Sequence, residues 1–183
     1  MLHLALVFVL AQTQMQLDVS SGAEAKASMT RMSAAYRHAR EATGNDPRLA
    51  RTQQLWMAMR DTTCAYERAL VAGGSLEPMV AAECVAALAN QRTADLARIP
   101  PRSHSAPRLQ PTDPAVDKRL NHVYGAIASN LDASERPLLL DSELAWIRYR
   151  DAMCALIGGA CSTTMERDRT KNLTDSWLGD PVW

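Results

Sequence analysis

The sequence is poor in aromatic residues and has no excess of either charge. Aromatic side chains make up 5% of the 183 residues, and Val and Ile are scarce beside Ala and Leu, a balance that favours helix over sheet. The formal net charge at pH 7 is zero. Proteins that bind duplex nucleic acid carry a basic surplus, so nucleic acid is not an expected partner. Hydrophobic residues nevertheless reach 47%, which is enough for a packed core.

The sequence also lacks an apolar run long enough to span a membrane, which needs roughly 20 residues. Residues 2–11 form an apolar run of about ten residues and precede the polar Gln12, Thr13 and Gln14. We therefore predict a signal peptide at residues 1–13, cleaved near Ala11 or Thr13. No Cys follows the run, which disfavours a lipid anchor. The mature chain is expected to be soluble and either periplasmic or secreted.

Catalytic and metal-binding spacings are missing as well. Four acidic residues, Glu67, Glu77, Glu83 and Glu166, include no pair held by spacing, so glycosidase chemistry has no support. A zinc site needs closely spaced Cys-x2-Cys or Cys/His ligands, and the cysteines and histidines are too far apart for that. The sequence predicts a protein that is not an enzyme and that uses no cofactor or metal.

One pattern occurs twice in the chain. Its first half consists of Trp56, Arg60, Asp61 and Cys64 in one copy and, ninety residues later, of Trp146, Arg150, Asp151 and Cys154 in the other. Its second half consists of Cys84, Arg92 and Thr93 in one copy and of Cys161, Arg169 and Thr170 in the other. In both copies the second Cys stands eight residues before the Arg. Identical internal offsets over so long a period indicate a duplicated folding unit.

The duplication and a change in composition divide the chain. We predict a first unit at residues 22–98, a second at residues 115–178, and between them, at residues 99–114, a semi-extended linker that contains five Pro. The helices are expected at residues 24–43, 47–72, 75–96, 115–131, 134–157 and 161–177, with Asp46 and Ser75 as N-caps. The predicted fold is therefore all-α, with two tandem units of about three helices each.

Four cysteines in an exported chain indicate two disulfides. Of the three possible pairings, the duplication selects Cys64 with Cys84 and Cys154 with Cys161, because each unit then contains its own pair. Each bond would link consecutive helices across a Gly-Gly turn. The first unit has a longer connection, with its extra length near residues 71–82, and a difference in binding between the units is expected there first.

The remaining residues of the pattern are interpreted as structural. In each copy the Trp, Arg and first Cys share one helix face, which is typical of a core Trp with a guanidinium stacked on its ring; a ligand platform is the alternative. The Asp of each copy is expected to bond to the third helix, Asp61 to Arg92 and Asp151 to Arg169. Binding of an anion or a carbohydrate is the alternative role of these Arg-Asp pairs.

The whole pattern resembles the small exported domain named after the lysozyme inhibitor LprI. The elements that carry the resemblance are Trp-x3-Arg-Asp-x2-Cys, Gly-Gly-Ser and Cys-x7-Arg-Thr-x2-Leu. They occur in LWMAMRDTTCAYERALVAGGSLEPMVAAECVAALANQRTADL and, with Ala160 in place of the Ser, again in AWIRYRDAMCALIGGACSTTMERDRTKNLTDSW. The two tandem matches cover most of residues 30–177. Ser33 departs from the family's Asn, and the Cys of a lipoprotein is absent.

The resemblance implies a helical, disulfide-bonded domain of the bacterial envelope. Its name makes lysozyme the specific partner to consider, so one hypothesis is a binding protein that inhibits lysozyme. The alternative is a structural or accessory periplasmic module that holds another envelope protein without inhibiting an enzyme.

Overall fold

The computed structural model describes residues 2–101 and 108–177, with side chains from residue 13 onward. Its helices are α1 (Leu2–Ala42), α2 (Pro47–Ala69), α3 (Glu77–Ala97), α4 (Pro114–Asn130), α5 (Glu135–Ile157) and α6 (Cys161–Ser176). The described residues contain no strand beyond one isolated bridge, so the predicted all-α class is confirmed. The middle of the predicted linker and the tail after Trp177 lie outside these residues. None of the described helices is long and apolar enough to cross a membrane.

Helix α1 begins much earlier than the sequence indicated. It was expected from residue 24, but it starts at Leu2 and continues without a break through most of the predicted signal peptide. Residues 2–21 contain no Gly or Pro, and most are good helix formers, so nothing local ends the helix. Gly22 lies inside this helix, where a Gly costs roughly 1 kcal/mol relative to Ala but does not by itself end the helix. Cleavage at residues 1–13 stays a prediction.

The turn between α1 and α2 agrees with the sequence. Gly44 and Asn45 both have positive φ, at 64° and 61°, and they reverse the chain after α1. Asp46 then caps α2, since its carboxylate accepts the backbone N–H of Arg48 at 2.8 Å. Pro47 occupies the first helical position, where its missing N–H costs nothing.

The predicted N-cap of α3 is wrong. Ser75 does not cap the helix; the N-cap position is Leu76, which makes no side-chain cap hydrogen bond. The preceding turn is instead fastened by Glu77, whose carboxylate accepts the backbone N–H of Gly73 at 2.9 Å and pairs with Arg68 at 2.9 Å. Glu77 therefore ties the turn to the end of α2 without capping α3.

The six helices pack in three pairs. Helix α1 lies along α3, α4 lies along α6, and α2 of the first unit packs against α5 of the second. Here the first unit means α1–α3 and the second means α4–α6. The buried side chains of both units form one continuous core, with Leu49 and Trp56 on α2 and Leu139 and Trp146 on α5 among its most buried members. The two units therefore pack together, a point that the sequence left open.

Both predicted disulfides are present. Cys64 of α2 is bonded to Cys84 of α3, and Cys154 of α5 is bonded to Cys161 of α6, with Cα–Cα distances of 5.6 Å and 5.3 Å. Each bond joins the end of one helix to the next helix of the same unit. The duplication therefore selected the correct pairing out of three.

The C-terminal end of the linker is bound to the second unit. The N–H of Gln110 donates to the carbonyl of Gly159 at 2.8 Å, and the N–H of Gly159 donates to the carbonyl of Arg108 at 2.7 Å. Three residues further on, the N–H of Asp113 donates to the Thr163 hydroxyl at 3.0 Å. Residues 108–113 are thus held against the Gly-Gly turn and the start of α6.

Candidate functional site

The motif arginine of the first unit is a fully buried charge. Arg92 on α3 has no exposed surface, and its guanidinium donates to Thr52 at 3.0 Å and Gln53 at 3.2 Å on α2. It also reaches across to α5, where it donates to Tyr149 at 3.1 Å and contacts the sulfur of Met153. A buried guanidinium needs such partners, because desolvation of an unpaired charge is costly. Arg92 therefore joins three helices from two units.

Arg169 occupies the equivalent place in the second unit. It is 2% exposed and donates to Ser142 at 2.9 Å and Glu143 at 3.0 Å, both on α5. These two positions stand ninety residues after the partners of Arg92. The duplication therefore preserves the contacts of the buried arginine as well as its position in the sequence.

The hydrogen bonds predicted for the motif aspartates are wrong. Neither Asp61 with Arg92 nor Asp151 with Arg169 forms a pair; each Asp instead accepts from the Arg that precedes it, at 2.8 Å and 2.9 Å. The aspartate side chains are 65% and 63% exposed. Successive residues of a helix lie about 100° apart, so a position directly after a core-facing Arg points towards solvent.

The motif tryptophans lie in the core beneath these Arg-Asp pairs. Trp56 is 1% exposed and Trp146 is 3% exposed. Arg60 lies over the first ring at 5.2 Å from its centroid, and Arg150 over the second at 5.1 Å, within the range of a cation–π contact. The buried rings present no open face to solvent that a ligand could stack on.

The motif threonines bond back to their own helices. Thr93 donates to the carbonyl of Ala89, and Thr170 donates to the carbonyl of Glu166, both at 2.8 Å. Their hydroxyls satisfy the backbone one turn earlier, a common use of a helical Thr. These residues contribute to the scaffold.

Buried polar contacts between the two units were not anticipated from the sequence. The hydroxyl of Tyr149 donates to Asp95 at 2.6 Å, and Thr63 bonds to Ser142 at 2.8 Å. Burial raises the pKa of the Tyr149 hydroxyl and that of the Asp95 carboxyl. Only the fold brings these residues together, since each pair is separated by more than fifty positions in the chain.

A groove of about 310 Å³ opens where α2 and α3 meet α6. Its apolar surface includes Val80, Cys84 and Leu88, and its carboxylates are Glu67, Glu83 and Asp175. We call it the acidic groove. The Cys64–Cys84 disulfide lies in its wall, so the bond fixes the two helices that form one side.

The carboxylates of the acidic groove have different environments. Glu67 is half-buried, and burial raises its pKa to about 7, although the Arg169 charge and a hydrogen bond from Ser176 oppose the shift. Glu83 is exposed. Asp175 pairs with Lys171 one turn earlier on α6.

The positions that the duplication relates to the carboxylates of the acidic groove hold no carboxylate. The positions equivalent to its three carboxylates are Ile157, Ala160 and Arg98. Arg98 is used in the structure to pair with Asp95 at 3.2 Å. The duplicated scaffold therefore carries a negatively charged groove on one side only.

The extra length of the first unit builds one wall of this groove. Helix α3 begins at Glu77, seven residues before Cys84, whereas α6 begins at Cys161 itself. The additional turns place Val80 in the groove. Part of the segment 71–82 that the sequence singled out thus lies at the groove, and a role in binding stays a prediction. Among the described residues, no group of three or more His, Cys, Asp or Glu could hold a metal ion.

The sequence matches the model of a known protein family. The family described as lysozyme inhibitor LprI matches residues 10–96 and 114–173, which is most of the chain and includes both copies of the pattern. The chain belongs to the LprI family. The two matched segments of this LprI-family chain fall on either side of the linker and are compatible with two copies.

A solved structure with a similar fold comes from Burkholderia thailandensis, where the protein is described as uncharacterized. It is 19% identical, with a TM-score of 0.68, and the similarity covers 82% of the LprI-family chain and 81% of the other. At that identity the likeness concerns the fold alone. No curated protein matched the sequence.

Membership of the LprI family and the two disulfides indicate an extracytoplasmic protein. Disulfides persist in oxidising compartments, whereas the cytosol keeps thiols reduced. The family is described by inhibition of an enzyme rather than by a reaction of its own.

Proposed function

We propose that this chain is an exported bacterial envelope protein that binds a lysozyme-type muramidase and inhibits it. The observation that carries the proposal is the match to the lysozyme inhibitor LprI family across both units. The proposal includes cleavage of the signal peptide near residues 11–13 and a periplasmic or secreted location. N-terminal sequencing of the protein from an exporting bacterial host tests the cleavage, and an intact Met1 would contradict it.

The scaffold suits an inhibitor. Two disulfides and the buried Arg92 and Arg169 join α2 to α3 and α5 to α6, and the bond from Arg92 to Tyr149 joins α3 to α5. A rigid binding surface loses little conformational entropy when it meets its partner, which favours affinity. Lysozymes are commonly basic, and the acidic groove supplies carboxylates on a chain whose net charge is otherwise zero.

The test is a lysis assay of bacterial cell walls by a basic lysozyme. The oxidised protein starting at Gln14 is titrated against the enzyme, and its reduced and alkylated form serves as the control. We expect dose-dependent inhibition that is lost on reduction, because the disulfides hold the helices that present the surface. A folded, oxidised sample that leaves the lysis rate unchanged contradicts the proposal. That result would favour the alternative, an accessory module that holds another envelope protein, for which the zero net charge is the supporting observation.

A further inference from the structure

We infer that the acidic groove binds one lysine or arginine side chain of the partner enzyme. The identity of the partner rests on the proposed function, but the chemistry of the groove does not. Its volume, about 310 Å³, is at the lower end of the range of roughly 300–1,000 Å³ that is usual for ligand pockets. A single long side chain suits a groove of that size.

The surface of the groove matches an amphipathic cation. Val80, Leu88 and the Cys64–Cys84 disulfide offer an apolar surface to an aliphatic stem, and apolar atoms contribute most of the exposed lining. The carboxylates offer hydrogen-bond acceptors to a charged head group. Lysine and arginine combine these two parts, because their stems pack on apolar surface while their charged ends stay in polar surroundings.

Two of the three carboxylates are available to a new cation. In the described residues neither Glu67 nor Glu83 forms an ion pair. Asp175 pairs with Lys171 on its own helix, where both side chains are more than half exposed. An exposed pair of this type contributes little stability, so Asp175 can exchange Lys171 for a partner's cation at small cost.

Because the groove carboxylates are not repeated by the duplication, the number of binding sites per chain can be predicted. The positions that the duplication relates to the three carboxylates, Ile157, Ala160 and Arg98, are apolar or basic, so a cation placed there would be repelled or left without a partner. One chain should therefore take up one basic side chain, despite the duplication of its scaffold.

The test compares two double variants that change the net charge equally. Glu83→Lys/Asp175→Lys reverses the groove, while Glu41→Lys/Asp141→Lys reverses two exposed carboxylates that do not line it. All four positions are exposed, and circular dichroism melts establish that both variants fold. Binding of each to a basic lysozyme is measured by isothermal titration calorimetry, with wild type as the reference.

We expect the groove variant to bind about tenfold more weakly or worse, as is usual when a close interfacial charge pair is lost. The control variant should stay within about threefold of wild type, since it alters only the long-range field. Wild type should bind with a stoichiometry of one. If wild type binds lysozyme and the two variants are weakened equally, the inference about the groove is overturned and the proposed function stands.

A second measurement decides the inference if wild type does not bind lysozyme. The peptide acetyl-Gly-Arg-Gly-amide is titrated into ¹⁵N-labelled protein, with its citrulline analogue as the uncharged control. Shifts confined to backbone amides around residues 80–88 and 172–176, and absent with citrulline, support a groove for basic side chains whose partner is a different protein. Equal shifts with both peptides, or none, overturn the inference.

Discussion

At the scale of single residues, the two arginines of the first motif copy differ in burial and in partners. Arg92 has four partners on two other helices, and two of them belong to the other unit. Arg60, by contrast, is one-fifth exposed and only covers a ring and meets its sequence neighbour. We therefore expect these two arginines to contribute very differently to the free energy of unfolding.

This difference predicts the effects of Arg92→Met and Arg60→Met. The first removes the central donor and leaves buried acceptors without partners, so the free energy of unfolding should fall by about 3–5 kcal/mol. The second removes a partly exposed contact and should cost about 1 kcal/mol. Urea unfolding of the oxidised proteins at pH 7 measures both values. Similar losses of unfolding free energy in the two variants would mean that the buried hydrogen bonds of Arg92 contribute no more than the partly exposed contacts of Arg60.

The raised pKa of Glu67 predicts that the stability of the folded protein depends on pH. Its carboxyl has a pKa of about 7 in the folded protein, against an ordinary value of 4.5, because burial disfavours the charged form. The folded state therefore holds this proton more tightly than the unfolded state. Below pH 4.5 both states are protonated and burial costs little. The cost appears as the pH rises from 4.5 to 7 and is complete above pH 7.

Glu67→Gln should remove that cost. The charge that acts on Glu67 is that of Arg169, which opposes the shift. The other groove carboxylates, Glu83 and Asp175, are unchanged in the variant. We expect the variant to be more stable than wild type by about 1–3 kcal/mol at pH 8 and by much less at pH 4.5. Urea unfolding at the two pH values tests this. The same difference at both values would show that Glu67 does not titrate as described.

At the scale of elements, the connections between helices distinguish the two units. The first disulfide closes a separation of 20 residues and the second a separation of 7. In the chain-entropy model, the stabilisation grows with the logarithm of loop length. Cys64→Ala/Cys84→Ala should therefore cost about 1 kcal/mol more than Cys154→Ala/Cys161→Ala. Thermal melts of both variants test the order, and a larger loss from the shorter loop would contradict the entropic account.

The Gly-Gly turn before α6 offers a second test at this scale. Gly159 has φ of +58° and bonds to the linker, whereas Gly125 lies inside α4; an added Cβ would meet nothing within 4 Å at either position. Gly159→Ala should therefore destabilise by about 1–2 kcal/mol through backbone conformation alone. Gly125→Ala should stabilise by up to about 1 kcal/mol, because Ala is the better helix former. Thermal melts that shift in the same direction for both would contradict this.

At the scale of the whole molecule, the sequence was sufficient to predict features that depend on neighbouring residues or on the duplicated pattern. Apart from the start of α1, the six helices follow from spacing and turn residues, as do the Asp46 cap and both disulfides. The acidic groove could not be predicted in this way, because it combines Glu67 and Glu83 with Asp175, which follows them by 108 and 92 residues in the chain. The partners of Arg92 were missed for the same reason. A pattern that repeats within each unit holds no information about how α2 of one unit meets α5 of the other.

The interface between α2 and α5 predicts how the molecule behaves when its linker is cut. Independent domains on a semi-extended linker would separate, and each would unfold in its own transition. Here the core is continuous across α2 and α5, and Thr63 and Tyr149 form buried hydrogen bonds to the opposite unit. A segment of residues 108–113 is also bound to the second unit, so a cut at residues 102–107 leaves that contact intact.

We therefore expect the two fragments to stay together after cleavage at a protease site introduced within residues 102–107. They should co-elute in size-exclusion chromatography, and the cut protein should unfold in one calorimetric transition, because neither unit can keep its α2 or α5 face buried alone. Uncut protein with the same inserted site is the control. Two separate peaks and two transitions would instead mean that each unit folds by itself and that the shared core contributes little.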